Sequence, residues 1–353
     1  MFSDSIDPLT DSRWRIFVEG HPEASVFHQP SWLEALRKTY RLRPLVFTTA
    51  RPGEPLRDGL VFCPVQSWIT GKRLVTLPFS DHCNLLADSE ESHKYLSAQI
   101  AQSVAGEFEY AEVRSTVPSK MAPPDKWRPG NRFLRHSLSL SSSSEEIFRG
   151  FHKNCIQRKI RRAEREGVRY VNGRSASLLR HFYDLQLRTR RRHRVPPQPF
   201  RWFENLVSSM GTRLTIHAAF KDERAAAAIL TLTHRNTLTY KYGCSDERLN
   251  NLGGMPFLFW QAIQEAKDNG LEVLDLGRTE INNHGLIAFK ERLGASPSPL
   301  TYWTYTAGVK GSSRRDGVIN LAERVLPRLP ESLFRLPRSL LALGGSMIYP
   351  HLD

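Results

Sequence analysis

Cysteine is scarce in this chain: Cys63, Cys83, Cys155 and Cys244 are the only four among 353 residues. None sits in a CxxC pair or at a metal-ligand spacing, and a chain of this length needs no disulfide frame. A zinc module and a disulfide-built secreted domain are therefore both excluded as readings, and the cysteines are expected as buried small hydrophobes or free thiols. Long apolar runs are missing too. No stretch approaches the ~18–20 residues that span a bilayer. The N-terminus, MFSDSIDPLTDSRW, has no basic segment leading into an apolar core, so a secretory signal is not expected and the cytoplasm is the expected location. Neither zinc-finger spacing nor an RNA-binding aromatic signature occurs. No Ser–His–Asp or Cys–His arrangement stands out, which argues against a covalent intermediate.

What is present is a soluble, basic, globular composition. Hydrophobic residues make up 40% and charged residues 24%, and the length suits two domains with ordinary cores. Lysine and arginine number 50 against 36 acidic residues, a net charge of +14. Such an excess favours an anionic partner: a phosphorylated cofactor, nucleic acid or a membrane surface. It also fits a merely basic surface.

The first part reads as mixed α/β. Ser31 is placed to cap a helix through Trp32–Leu36, and apolar runs at 45–47, 60–65 and 74–77 read as strands. A helix is expected near 91–105, with further strands at 108–113 and 133–140. The polar run SLSLSSSSEE, 137–146, marks the domain boundary, and Ser144 with Glu145 and Glu146 suits a helix start. Helices at 152–166, 175–192 and 200–209 then precede three strand-like runs, 213–220, 225–233 and 237–243. Asp222–Glu223 and Arg235–Asn236 supply short turns, which predict an antiparallel meander. A helix over 255–269 carries an apolar stripe of Phe259, Ala262, Ile263 and Ala266 and ends at Gly270. A strand at 271–276, a helix at 286–293 and a strand at 300–305 follow. The tail, 311–353, alternates prolines with short apolar and basic pieces. It reads as an amphipathic segment that either packs on the domains or rests on a membrane surface.

Two arginine groups stand out. On the helix 153–166, at ~100° per residue, Arg158, Arg161, Arg162 and Arg165 fall within ~60° of one direction, with Ile156, Ile160 and Ala163 opposite. That face can grip phosphates or simply be solvated. Arg188, Arg190, Arg191, Arg192 and Arg194 form a second group that no acidic residue interrupts. Asp275 closes a strand-like run just before Gly277, where it can take a proton, orient an acceptor or fix the turn. Arg278 follows that turn.

Four segments, in order, resemble one family. KNCIQRKIRRAEREGV (153–168) resembles the basic helix that opens the C-terminal domain of FemAB-like proteins. LQLRTRRRHRVPPQPF (185–200) is similar to their arginine-rich helix and proline turn, and YKYGCSDERLNNLGGMPFLFWQAI to the strand, loop and helix that come next. LDLGRTEINNHGLIAFKERLGA (274–295) resembles the strand, turn and Gly-Leu-x-x-Phe-Lys element. FHQPSWLEAL and LPFSDHCNLL match more weakly in the first half. The set resembles the FemAB/CelD-like branch of the GNAT acyltransferase superfamily.

The resemblance implies an α/β (α+β) fold of two tandem GNAT-like domains, 1–142 and 143–310, each a mixed, largely antiparallel sheet flanked by helices. It implies acyl transfer in cell-envelope or exopolysaccharide metabolism, without a metal. The donor it implies is acyl-CoA or aminoacyl-tRNA, and the acceptor an amine or sugar-bearing envelope precursor. A catalytically silent scaffold is the reading outside enzymology. Lys290, in the Phe-Lys element, is the catalytic residue that the resemblance implies, against an exposed helix lysine, and Asp275, from its place before the turn, is expected beside it. Asp81, Tyr242 and Arg278 are expected on the substrate, and Arg158, Arg161, Arg162, Gly253 and Gly254 on the donor. Asp81 and His82 are expected either to mark the acceptor side or to cap a loop, and the tail, where it does not pack on the domains, would make a peripheral contact at the inner membrane face. One departure is visible. CoA-dependent GNAT enzymes carry Arg/Gln-x-x-Gly-x-Gly/Ala before the central helix, whereas this chain has RLNNLGGMP, 248–256, with adjacent glycines and the basic residue too far upstream.

Overall fold

A computed structural model describes residues 5–67, 71–116, 127–193 and 195–306. The tail, 311–353, and Arg194 lie outside the described residues. The chain divides into two compact units, one built from Met1–Arg132 with the chain from Leu300 on, the other from Phe133–Pro299. The second unit thus starts earlier than the serine run, because the strand before that run joins the second sheet.

In the first unit, helices α1 (Ser12–Gly20), α2 (Pro30–Tyr40) and α3 (Glu90–Gly106) accompany strands β1 (Ser5–Ile6), β2 (Leu45–Phe47), β3 (Asp58–Ser67), β4 (Gly71–Val75), β5 (Leu86–Ala87) and β6 (Tyr110–Ser115). The strands run in the order β1-β2-β3-β4-β6, and residues 301–306 of the last strand of the chain add to β6. Only β4 and β6 are parallel in this set. The apolar stripe of α3 (Leu96, Ile100, Val104) closes a core with Phe62, Leu74 and Val113. Gly59 is needed where it stands, since a Cβ there would lie 2.6 Å from the Trp14 ring. Ser31 does not cap α2. Pro30 takes the first helical position, which suits its missing N–H, and this moves the cap back to Gln29.

The second unit contains β7 (Trp127–Ser139, from Phe133), α4 (Ser144–Gly150), a π-helical turn (Lys153–Gln157) and α5 (Arg158–Arg165). It continues through β8 (Arg169–Gly173), α6 (Ala176–Arg192), α7 (Phe200–Met210), β9 (Leu214–Lys221), β10 (Arg224–His234) and β11 (Thr237–Ser245). It finishes with α8 (Gly254–Asp268), β12 (Val273–Glu280), α9 (His284–Arg292) and the start of β13 (Ser296–Thr306). Ser143, one residue before the expected start, caps α4 in a full capping box with Glu146. Strand order is β7-β12-β11-β10-β9-β8, antiparallel except for β11 and β12. The β9–β10 turn places both Asp222 (φ 47°) and Glu223 (φ 60°) in the left-handed region, the twist a two-residue hairpin requires.

Helices cover both faces of this sheet. On one face, Ile156, Ile160 and Ala163 join Phe259 and Ile263 of α8 over Ala219, Ala227, Ile229, Leu238, Leu274 and Leu276. On the other, Phe182 of α6 and Phe203 of α7 pack together, and the Cys244 thiol donates to the Phe182 carbonyl. Leu238 and Tyr240 face α8. The register then shifts between the pairs Thr231–Tyr240 and Leu230–Tyr242, so Lys241 is an extra residue in β11. This bulge reverses the alternation and sends Tyr242 to the α6–α7 side.

Candidate functional site

The parallel pair β11–β12 holds together over only three residue pairs: Thr237–Val273, Leu238–Leu274 and Thr239–Asp275. Beyond Asp275 the two strands part. β12 carries on against β7, again with an irregular register between Asp275 and Arg278. A sheet that opens between two parallel strands offers an extended ligand a place beside backbone groups.

Asp275, Arg278 and Lys290 come together at this opening, around Gly277. Asp275 Oδ1 accepts the Gly277 N–H at 2.8 Å. Its other oxygen accepts from Arg135 Nε at 3.1 Å and Nη2 at 2.9 Å. Lys290 Nζ, from α9, donates to the carbonyls of Gly277 (3.2 Å) and Arg278 (3.1 Å). Gly277 (φ 68°) is thereby held by its N–H on one side and its carbonyl on the other. Arg278 lies over the Phe133 ring, 4.6 Å from its centroid. His136, opposite the irregular register of β12, is fully buried, and neither ring nitrogen has a hydrogen-bond partner. Burial, and then the Lys290 charge, push its pKa down to about 4, so it is neutral at physiological pH.

One sequence expectation needs correction here. Asp275 does not end its strand: β12 starts at Val273, since Leu271 still bonds back to α8 through Ala266, and runs past Gly277. Lys290 is buried, since α9 lays its end against β12 and the two carbonyls replace water around the ammonium. Arg135, which pairs with Asp275, and the buried His136 were not singled out from sequence. The available signal was the polar pair inside the strand-like FLRHSL, where a buried charge calls for a mate.

Other expected site residues lie elsewhere. Tyr242 is buried on the neighbouring strand, where its hydroxyl accepts from Trp202 Nε1 at 2.9 Å. Asp81 belongs to the first unit, and its backbone carbonyl accepts from the Tyr302 hydroxyl at 2.9 Å. On α5, Arg158 and Arg161 are exposed, while Arg162 is half-buried and pairs with Glu166 at 3.7 Å. The second arginine group sits where β11 ends. Asp246, buried just past that strand, accepts from Arg188 Nη1 (2.6 Å) and Arg248 Nη2 (2.6 Å). The Arg248 hydrogen bond leads in lowering its pKa to about 2. Arg191 and Arg192 are exposed beside it on α6.

The glycine pair at the start of α8 is committed to packing. Gly253 (φ 80°) directs its missing Cβ to 2.3 Å from the Lys159 carbonyl oxygen, and a Cβ on Gly254 would meet that of Ala227 at 3.1 Å. Gly253→Ala should therefore destabilise the protein by about 2–4 kcal/mol through strain and overlap. A urea midpoint equal to the parent's would contradict that packing.

A family model described as an acetyltransferase (GNAT) domain matches residues 150–290. This segment is a GNAT domain. Among curated protein sequences nothing matches the chain. Solved structures share the fold at low identity. FemX is 12% identical, with a TM-score of 0.67 over 88% of this chain and 97% of its own. L-PGS from Bacillus licheniformis is 13% identical, with a TM-score of 0.55 over 92% and 98%. A tandem GNAT protein from the clavulanic acid biosynthesis pathway is 12% identical, with a TM-score of 0.52 over 85% and 95%. The chain thus carries a GNAT domain at 150–290 and shares the overall fold of FemX and of a tandem GNAT protein. Among the described residues no helix is long and apolar enough to cross a membrane, and no group of three or more His, Cys, Asp or Glu could hold a metal ion.

Proposed function

We propose that the chain transfers an aminoacyl group from aminoacyl-tRNA directly to an amine on a cell-envelope or exopolysaccharide precursor. It would act in the cytoplasm, with the tail touching the inner membrane face. The observation that carries the donor choice is the glycine pair at the start of α8: RLNNLGGMP departs from the glycine spacing of CoA-dependent GNAT loops, and Gly253 packs closely against the Lys159 carbonyl. Exposed arginines on α5 and at the end of α6 suit a long polyanion instead. The similarity to FemX and L-PGS supports the same choice.

In this reading the acyl end of the donor lies where β11 and β12 part. Asp275 and Lys290 hold Gly277 and so fix the β12 edge of that opening; Lys290 also supplies positive charge beside it as the tetrahedral oxyanion forms. Arg278 borders the acceptor. Direct attack by the amine agrees with the thiols: Cys63, Cys83 and Cys244 are buried, and burial pushes each pKa well above the usual thiol range.

A second reading, transfer from acyl-CoA, is favoured by one observation. The N-terminus of α8 has no side-chain cap, and helix N-termini bind phosphate. Equilibrium binding separates the two. Charged tRNA should bind the parent protein and lose about tenfold or more in affinity in Arg158→Gln/Arg161→Gln/Arg162→Gln, and added salt should mimic that loss. Retention of tRNA affinity by the triple variant at every salt concentration would reduce the α5 face to surface. Competition by CoA at micromolar concentration would favour the second reading.

A further inference from the structure

The first unit contains a cavity of about 800 Å³ between α1, the loop 49–57 and the start of α3. Its volume is that of an ordinary small-molecule site. The walls are unusual for this surface in two ways. Ile16 (73% exposed) and Tyr95 (43% exposed) are two large hydrophobic residues left open to solvent, and both line it. Its charge also runs against that of the chain as a whole, which carries +14. Asp88 and Glu91 face it against the single cation Arg57.

The floor has a fixed polarity as well. His21 is buried, its ring 5.1 Å from that of Phe17. Its Nδ1 accepts the Glu23 N–H at 3.2 Å, which leaves the ring proton of the neutral imidazole on Nε2, 3.6 Å from Asp88 Oδ1. Asp88 stands beside the His21 ring, and its side chain stays 84% exposed to whatever enters.

We propose that this cavity binds an amine-bearing ligand with an apolar stem. The ammonium sits between Asp88 and Glu91, and the stem lies along Ile16, Phe17 and Tyr95. Carboxylates favour the cation, the aromatic faces add to that attraction, and the apolar rim gains by being covered. A phosphate-bearing donor is disfavoured by the same charges. The inference does not rest on the transfer reading, and it is tested by binding alone.

The test uses hexylamine, hexanol and hexanoate as matched probes, titrated into the full chain by calorimetry and ligand-observed NMR. Hexylamine should bind about tenfold or more tightly than hexanol, weaken as salt is added, and exceed hexanoate by a wider margin. Asp88→Asn/Glu91→Gln should bring hexylamine down to the level of hexanol, and Ile16→Asn should weaken amine and alcohol alike. Both variants alter exposed side chains, so an unchanged melting temperature will confirm that they fold. Equal binding of hexylamine and hexanol by the parent protein, preference for hexanoate, or unaltered amine binding by the double variant would each overturn the proposal.

Discussion

Replacing Lys290 with methionine is expected to lower turnover by ~10²-fold, the scale on which a positioned charge acts on a developing oxyanion. The same change should lower stability by ~1–3 kcal/mol, because the buried carbonyls of Gly277 and Arg278 lose their shared donor. Methionine keeps most of the stem volume, so the loss reports the ammonium rather than a cavity. Lys290→Arg keeps the charge but not the compact geometry, and should recover stability better than turnover. The measurements are kcat/KM and the urea midpoint on each variant. Full turnover in Lys290→Met, whatever its midpoint, would leave the lysine a structural clamp.

Asp275→Asn is expected to cost about 3 kcal/mol of stability. Asparagine still accepts the Gly277 N–H, but it leaves the Arg135 guanidinium without its countercharge. Breaking a buried pair is expensive. The figure sits at the low end because the Arg135 side chain is 25% exposed and keeps some water. Turnover should fall as well, since the β12 edge loosens at Gly277. A pure proton-acceptor role predicts something else: turnover abolished and the midpoint unchanged. Adding Arg135→Met to Asp275→Asn should return part of the lost stability, because it removes the stranded cation. Additive losses in that double-mutant cycle would contradict the ion pair.

The periodic parts of the fold were legible in the sequence. The meander 213–243 was readable from its short polar turns, and the α8 stripe from Phe259, Ala262, Ile263 and Ala266, all buried as expected. The amphipathic face of the π-helical turn and α5 was equally plain, down to buried Ile156, Ile160 and Ala163. Features set by tertiary contact were not legible. Nothing local marks Lys241 as a bulge, yet that residue decides which face Tyr242 takes. Lys290 looked like any helix lysine because its burial depends on carbonyls contributed by β12. Gly253 and Gly254 were expected on the donor, although their spacing departs from the CoA loop. Their crowding comes from α5 and β10, distant in the chain. Arg135 gave no sign of its partner, which lies 140 residues away.

The most direct test of the account is the fate of a labelled donor. The protein is incubated with aminoacyl-tRNAs carrying labelled amino acids, together with an amine-bearing envelope-precursor fraction, and in parallel with labelled acetyl-CoA. The account predicts that label leaves the tRNA for the precursor in a reaction that Lys290→Met suppresses, while acetyl-CoA persists. Label retained on tRNA while acetyl-CoA is consumed would contradict it.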